Sequence, residues 1–266
     1  MKLRKGLLVF LLIPFGVVSQ NNLTGAEFYE IVRDIPAGQR EQLIKKELLN
    51  GNYPDFITQF IPVEFSRKDA NGAIKQVKIW VSPGYISIGT TQNYFIIPLL
   101  PHTAQELAMT LNSSLPTPAI SDIIYDAAIL QLEPFTYYPR ENRNETVDFF
   151  YDHSRVIQAQ IKSAGLEPGT FVAGIKKDIV ISTKLNDKNR PGHVIIYGWH
   201  TGPGKPIQPE SNIHINTYVD YSHGARLISN KVLIDNCEYN YEDVLKDPLL
   251  FPLLTNSSQP FATTRY

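Results

Sequence analysis

Histidine, aspartate and serine gather in three short segments of the last third of the chain: Lys176-Lys177-Asp178, Tyr197-Gly198-Trp199-His200 and Asp220-Tyr221-Ser222-His223-Gly224. The chain has six histidines, and His193, His200, His214 and His223 all fall between positions 193 and 223. An imidazole beside a carboxylate is the arrangement that orients a general base. A tight turn through Tyr221 and Ser222, relieved by Gly224, would bring the Asp220 carboxylate to the His223 ring. Ser222 is a candidate nucleophile, but adjacent strand residues face opposite ways, so its base must come from elsewhere, and His200 is the nearest supplier. The catalytic set expected is therefore His223, Asp220, His200, Ser222 and Asp178. Lys177, Tyr197, Trp199, Tyr218 and Tyr221 are expected to contact substrate, since aromatic faces suit the apolar faces of sugar rings. Pairs of these histidines with Asp178 or Asp220 could hold zinc, although no His-x-His or His-x-x-x-His spacing supports it, and no other cofactor is indicated. Plainer readings stand beside these: Asp220 and Ser222 satisfying the backbone of a turn, and Lys177 with Asp178 as a solvated ion pair of little energetic worth.

The elements that must position these residues are mostly strands. Stretches 171–182 and 193–199 bracket the polar loop 183–192 and read as an antiparallel hairpin. If it closes evenly, Asp178 lies opposite Tyr197 and Lys177 near Gly198. Residues 214–220 read as a further strand, with Ile213, Ile215 and Val219 on one face and His214, Asn216, Tyr218 and Asp220 on the other. On a straight strand His214 and Asp220 would stand roughly 20 Å apart, too far to share a metal. Residues 226–236 read as two strands joined at Ser229-Asn230-Lys231, and Asn240 caps a closing helix, 241–246.

Upstream, the capping box Thr24-Gly-Ala-Glu27 opens a helix to about Asp34, and a second helix runs from Gly38 to Asn50, stopped by Gly51. Stretches 60–66 and 73–82 flank Asn71-Gly72, a strong hairpin signal. Strand composition continues over 85–100. Helices follow from a second capping box at Thr103-Ala-Gln-Glu106, over 120–132, and over 146–164 with Gly165 as its stop. The sum is an α+β fold, mostly antiparallel sheets with helices packed on one side, in a single domain covering residues 20–266.

Residues 1–19 read as a cleavable signal peptide, a basic start followed by an apolar run over 6–18 that is shorter than the roughly 20 residues a spanning helix needs. The protein is accordingly expected to be secreted or periplasmic, with no membrane span in the mature chain. A net charge of −1 argues against nucleic acid as a partner. Cys237, the lone cysteine, excludes an intramolecular disulfide. Its acidic neighbours Asp235 and Glu238 disfavour a thiolate, so it reads as an ordinary strand residue. Asn22, Asn112, Asn144 and Asn256 head glycosylation sequons.

The blocks VAGIKKDIVI (172–181), IYGWH (196–200), PIQP (206–209) and YVDYSHG (218–224), with IGTTQNYF (88–95), PHTAQ (101–105) and LPT (115–117) upstream, resemble a family of exported bacterial proteins. That resemblance covers most of the mature chain. It implies a bacterial exported protein with a shared site and brings no activity with it. A more distant similarity is to NlpC-type cell-wall peptidases of papain-like fold, in which LEPGTFV (166–172) and the strand HVIIY (193–197) would place the base at His193. This sequence departs from that pattern, because the upstream helical region offers Ser113 and Ser114 where the peptidases have a cysteine. The expected function is an exported hydrolase of an extracytoplasmic polymer, peptidoglycan or another glycan or peptide. The alternative is a non-catalytic carbohydrate- or wall-binding protein.

Overall fold

The computed structural model describes residues 22–138 and 141–266; the expected signal peptide lies outside them. Its longest sheet begins with the hairpin the Asn-Gly pair foretells. Strands β1 (Ile61–Lys68) and β2 (Ile74–Val81) pair antiparallel in unbroken register. Asp69 closes the turn by accepting from the Asn71 and Ala73 amides at 2.9 and 3.0 Å. Beside β2 lie β12 (Ile228–Ile234) and then β13 (Cys237–Asn240), with the short β5 (Ser113–Ser114) on the far part of β12.

Ser229-Asn230-Lys231 proves to be a register shift within one strand, not a turn between two. The turn comes later, at Asp235 and Asn236, both with positive φ, as a tight hairpin needs. Cys237 is an exposed residue of β13 with a free thiol.

The second sheet has the order β10 (Pro206–Ser211), β9 (Ile196–His200), β8 (Lys177–Ile179), β11 (His223–Gly224). β8 and β9 pair antiparallel with Asp178 opposite Tyr197 and Lys177 opposite Gly198, as even closure of the hairpin requires. β11 joins β8 in parallel, His223 beside Lys177. Among the described residues two small ribbons complete the strands: β3 (Ser87–Gly89) with β4 (Tyr94–Ile96), antiparallel, and β6 (Leu130–Gln131) with β7 (Val172–Ala173), parallel.

Residues 214–220 are not a strand; their only ladder contact is a bridge from Ile215 to His193. The alternation seen in the sequence misleads there because Ile213 and Ile215 are 60% and 55% exposed. The segment turns back on itself, the Tyr218 amide donating to the Ile215 carbonyl.

Among the described residues six α-helices dress these sheets: α1 (Gly25–Val32), α2 (Ala37–Leu49), α3 (Pro101–Thr110), α4 (Pro118–Ala127), α5 (Val147–Ser163) and α6 (Tyr241–Lys246). The Thr24/Glu27 capping box forms in full on α1, and Asn240 caps α6. α3 starts two residues before the expected box, with Pro101 in its first turn and no side-chain cap of its own. The buried Glu41 of α2 supplies the acceptor instead, taking the Leu100 amide at 3.0 Å. The expected helix over 120–132 ends at Ala127, and its last residues form β6.

One apolar core, including Phe28, Ile79, Ile88, Phe95, Phe150 and Leu254, joins helices and sheets into a single α+β body. Among the described residues no helix is long and apolar enough to cross a membrane.

Candidate functional site

Strand alternation divides the three polar segments between the two faces of the second sheet. Successive residues of β8 point oppositely, so Asp178 goes with Tyr197 to one face and Lys177 with His223 to the other. Counting on along β9 would send His200 to the His223 side. The backbone prevents this: Gly198 and Trp199 both have positive φ, 116° and 59°. The kink reverses the alternation, so that Trp199 meets Lys177 and His200 meets the residues around Asp178. A tryptophan in the left-handed region is strained, and such strain persists only where its surroundings enforce it. Here the Trp199 and His200 amides are held by the Lys176 and Gly174 carbonyls at 2.8 and 2.9 Å.

On the first face, α4 lies over the strands. Its Asp122 accepts through one oxygen from both His200 Nε2, at 2.8 Å, and the Tyr197 hydroxyl, at 2.7 Å. The Tyr125 ring stacks on the His200 ring at 4.6 Å. The Ser121 hydroxyl donates to Asp178 at 2.9 Å. Burial raises the Asp178 carboxyl above its usual range, with Arg226 and the Ser121 bond opposing. Arg226, wholly buried, spends its guanidinium on the Ser82 and Val172 carbonyls. Ser121, Asp122 and Tyr125 carry no signal in the sequence beyond their place on one helix, and only the packing of α4 gives them a role.

The second face is built differently. His223 is buried, and neither of its ring nitrogens has a hydrogen-bond partner. Asp220 lies close by, but it does not bond to the imidazole. One oxygen accepts from the Ser222 hydroxyl at 2.5 Å and the Ser222 amide at 2.8 Å; the other accepts from the Tyr218 hydroxyl at 3.2 Å and faces Lys177 Nζ at 4.0 Å. The turn reading of Asp220 and Ser222 therefore describes their hydrogen bonds, and Ser222 Oγ donates to the Asp220 carboxylate, not to a histidine.

His214 is brought in by the fold-back of its segment. Its ring stacks on Tyr218 at 4.4 Å and stands 6.3 Å from the His223 ring, so the extended-strand separation does not apply. Lys177 Nζ lies over the Trp199 ring, 5.0 Å from its centre, and the buried Trp199 N–H also lacks an acceptor.

The electrostatics follow from burial. Burial pushes the His223 imidazole down to about 4, with Asp220 opposing. Burial alone would raise Asp220, yet His223, Lys177 and the two Ser222 bonds bring its carboxyl down to about 2. Beneath them Lys176, fully buried with its ammonium on the Tyr221 carbonyl at 2.6 Å, is lowered by burial to about 7. Near neutral pH this face therefore presents an ionised Asp220 and a neutral His223.

The other expected residues fall as follows. Tyr221 is buried, its hydroxyl accepting from the Tyr137 amide at 3.1 Å, and Trp199 is buried under Lys177, so neither offers an open stacking face. Among the described residues no three His, Cys, Asp or Glu side chains converge as a metal site. The His193 ring bonds to the Pro191 carbonyl at 3.1 Å. Ser113 and Ser114 bond to Leu111 and to Asn230 and Glu242, not to His193. The chain matches no family model, no curated protein and no solved structure.

Proposed function

We propose that the buried cluster around His223 is the working centre of a hydrolase acting on a polymer met outside the cytoplasm, a wall glycan or peptide, with His223 as its general acid and base. The observation that carries this reading is a buried imidazole with both nitrogens unpartnered, set among Asp220, Lys177, Tyr218 and His214. A buried polar group left without partners costs about 1–3 kcal/mol, and such groups persist where a ligand completes them.

Neutral at pH 7, His223 takes a proton from water as the water oxygen bonds to the electrophilic carbon. It passes that proton to the leaving heteroatom as the old bond breaks, and returns to its starting state. Asp220 supports the transient imidazolium through its field, and on a peptide substrate the Lys177 ammonium stabilises the negative charge that builds up on the carbonyl oxygen. Trp199 and Tyr221, the aromatics a sugar-binding module would expose, are buried, which favours catalysis over simple carbohydrate binding.

The test is incubation of the purified protein with peptidoglycan sacculi, a soluble β-linked glycan and a peptide mixture, with products read by mass spectrometry. His223→Ala should lower turnover at least about 100-fold while co-sedimentation with the polymer persists. Absence of turnover by the parent on every polymer would overturn the hydrolase reading, and parental turnover by the variant would overturn the assignment of His223.

A further inference from the structure

A second cleft lies on the opposite face, away from His223. Along β1 the period of two puts Phe65 and Arg67 on one side of the strand. On α4 the spacing of Ala119, Asp122 and Ile123 puts them on one helical stripe. With Ser66 and Asn256 these side chains line an open cleft of about 220 Å³. That is below the roughly 300–1,000 Å³ of pockets for drug-sized molecules, so its occupant is small.

Its two charges are opposite, and each is held from behind. Asp122 is fixed through one oxygen by His200 and Tyr197, both on β9. Its other oxygen meets no donor among the described residues, and the side chain is 28% exposed. Arg67 is steered by Asn256 Oδ1 at 2.5 Å and by the Thr255 carbonyl at 3.4 Å, both through one nitrogen. Asp122 and Arg67 make no ion pair within 4.0 Å; the pair Asp122 does make is with His200. Opposite charges that share a cleft, are each anchored to other elements and do not close on one another leave room for a ligand carrying the complementary pair.

We infer that this cleft binds a small zwitterion, an α-amino acid or the equivalent end of a short peptide, with its ammonium on Asp122, its carboxylate on Arg67 and an apolar side chain against Phe65, Ala119 and Ile123. The site is independent of the hydrolytic reading, since His223 takes no part in it.

Calorimetric titration of the full chain with L-leucine, N-acetyl-L-leucine and L-leucinamide tests it. L-leucine should bind saturably. Each blocked analogue, lacking one charge, should bind at least tenfold more weakly. Asp122→Asn, which keeps an oxygen acceptor for His200 and Tyr197, and Arg67→Gln should each weaken L-leucine at least tenfold, and His223→Ala should leave it unchanged. No heat with L-leucine at millimolar concentration, or equal binding of the blocked analogues, would overturn the assignment whether or not the variants fold.

Discussion

The two faces of the second sheet carry similar residues and treat them in opposite ways. Under α4, His200, Asp122, Tyr197 and Ser121 are tied into hydrogen bonds, Asp178 is tied through one of its two oxygens, and the histidine donates to a carboxylate in good geometry. Around β11, His223 is just as buried but satisfies neither nitrogen, and its neighbouring carboxylate serves Ser222 and Tyr218. Burial with partners stabilises a fold, whereas burial without them weakens it and is retained where something else gains. The first face thus reads as joinery with a cleft at its edge, and the second as a place held ready.

Removing the Asp178 carboxylate should bring the largest loss of stability. Asp178→Ala leaves the buried Ser121 hydroxyl without its acceptor and empties the space of a buried side chain under α4, for an expected loss of about 3 kcal/mol in urea unfolding. A loss within experimental error would show that the α4 face is not held by this carboxylate.

The next effect is one of pH. The unfolded His223 takes up its proton near 6.5 and the folded one only near 4, so the unfolded state binds more protons in between. Stability is then fully present above pH 6.5 and falls as pH drops towards 4, by about 3 kcal/mol from this residue. Unfolding of the parent and of His223→Leu, compared at pH 7 and pH 4, isolates it: the parent should lose more. Equal losses would mean that the imidazole is not kept neutral by burial.

The smallest effect makes the sharpest contrast. His200→Leu strips Asp122 of a buried donor and should cost about 1–3 kcal/mol, while His223→Leu, which removes an unsatisfied group, should be neutral or raise the melting temperature. If the two substitutions destabilise alike, the two faces are not different in kind.

Much of the frame was legible in the sequence, because the signals concerned are local. The Thr24/Glu27 box, the Asn71-Gly72 turn and the stop at Gly165 each depend on a few consecutive residues. The β8–β9 register followed from two strand-forming stretches around one polar loop. Residues 214–220 were misread because exposed Ile213 and Ile215 imitate the apolar face of a strand. Cys237, Asp220 with Ser222, and the set near Lys177 were identifiable by residue type. Asp122 was not singled out, and Lys176 was named only within its segment and given no role, since an aspartate on a helix and a lysine before a strand look like ordinary surface residues.

The chain by itself determined the element types, the hairpin register and hence the placing of Lys177 and Asp178 on opposite faces, since alternation is a property of any extended backbone. Only the tertiary structure decided that His200 would leave His223 for Asp122. That outcome rests on two successive positive φ angles at Gly198 and Trp199, and the chain takes such a conformation because the Lys176 and Gly174 carbonyls, in the bend between β7 and β8, hold the Trp199 and His200 amides there.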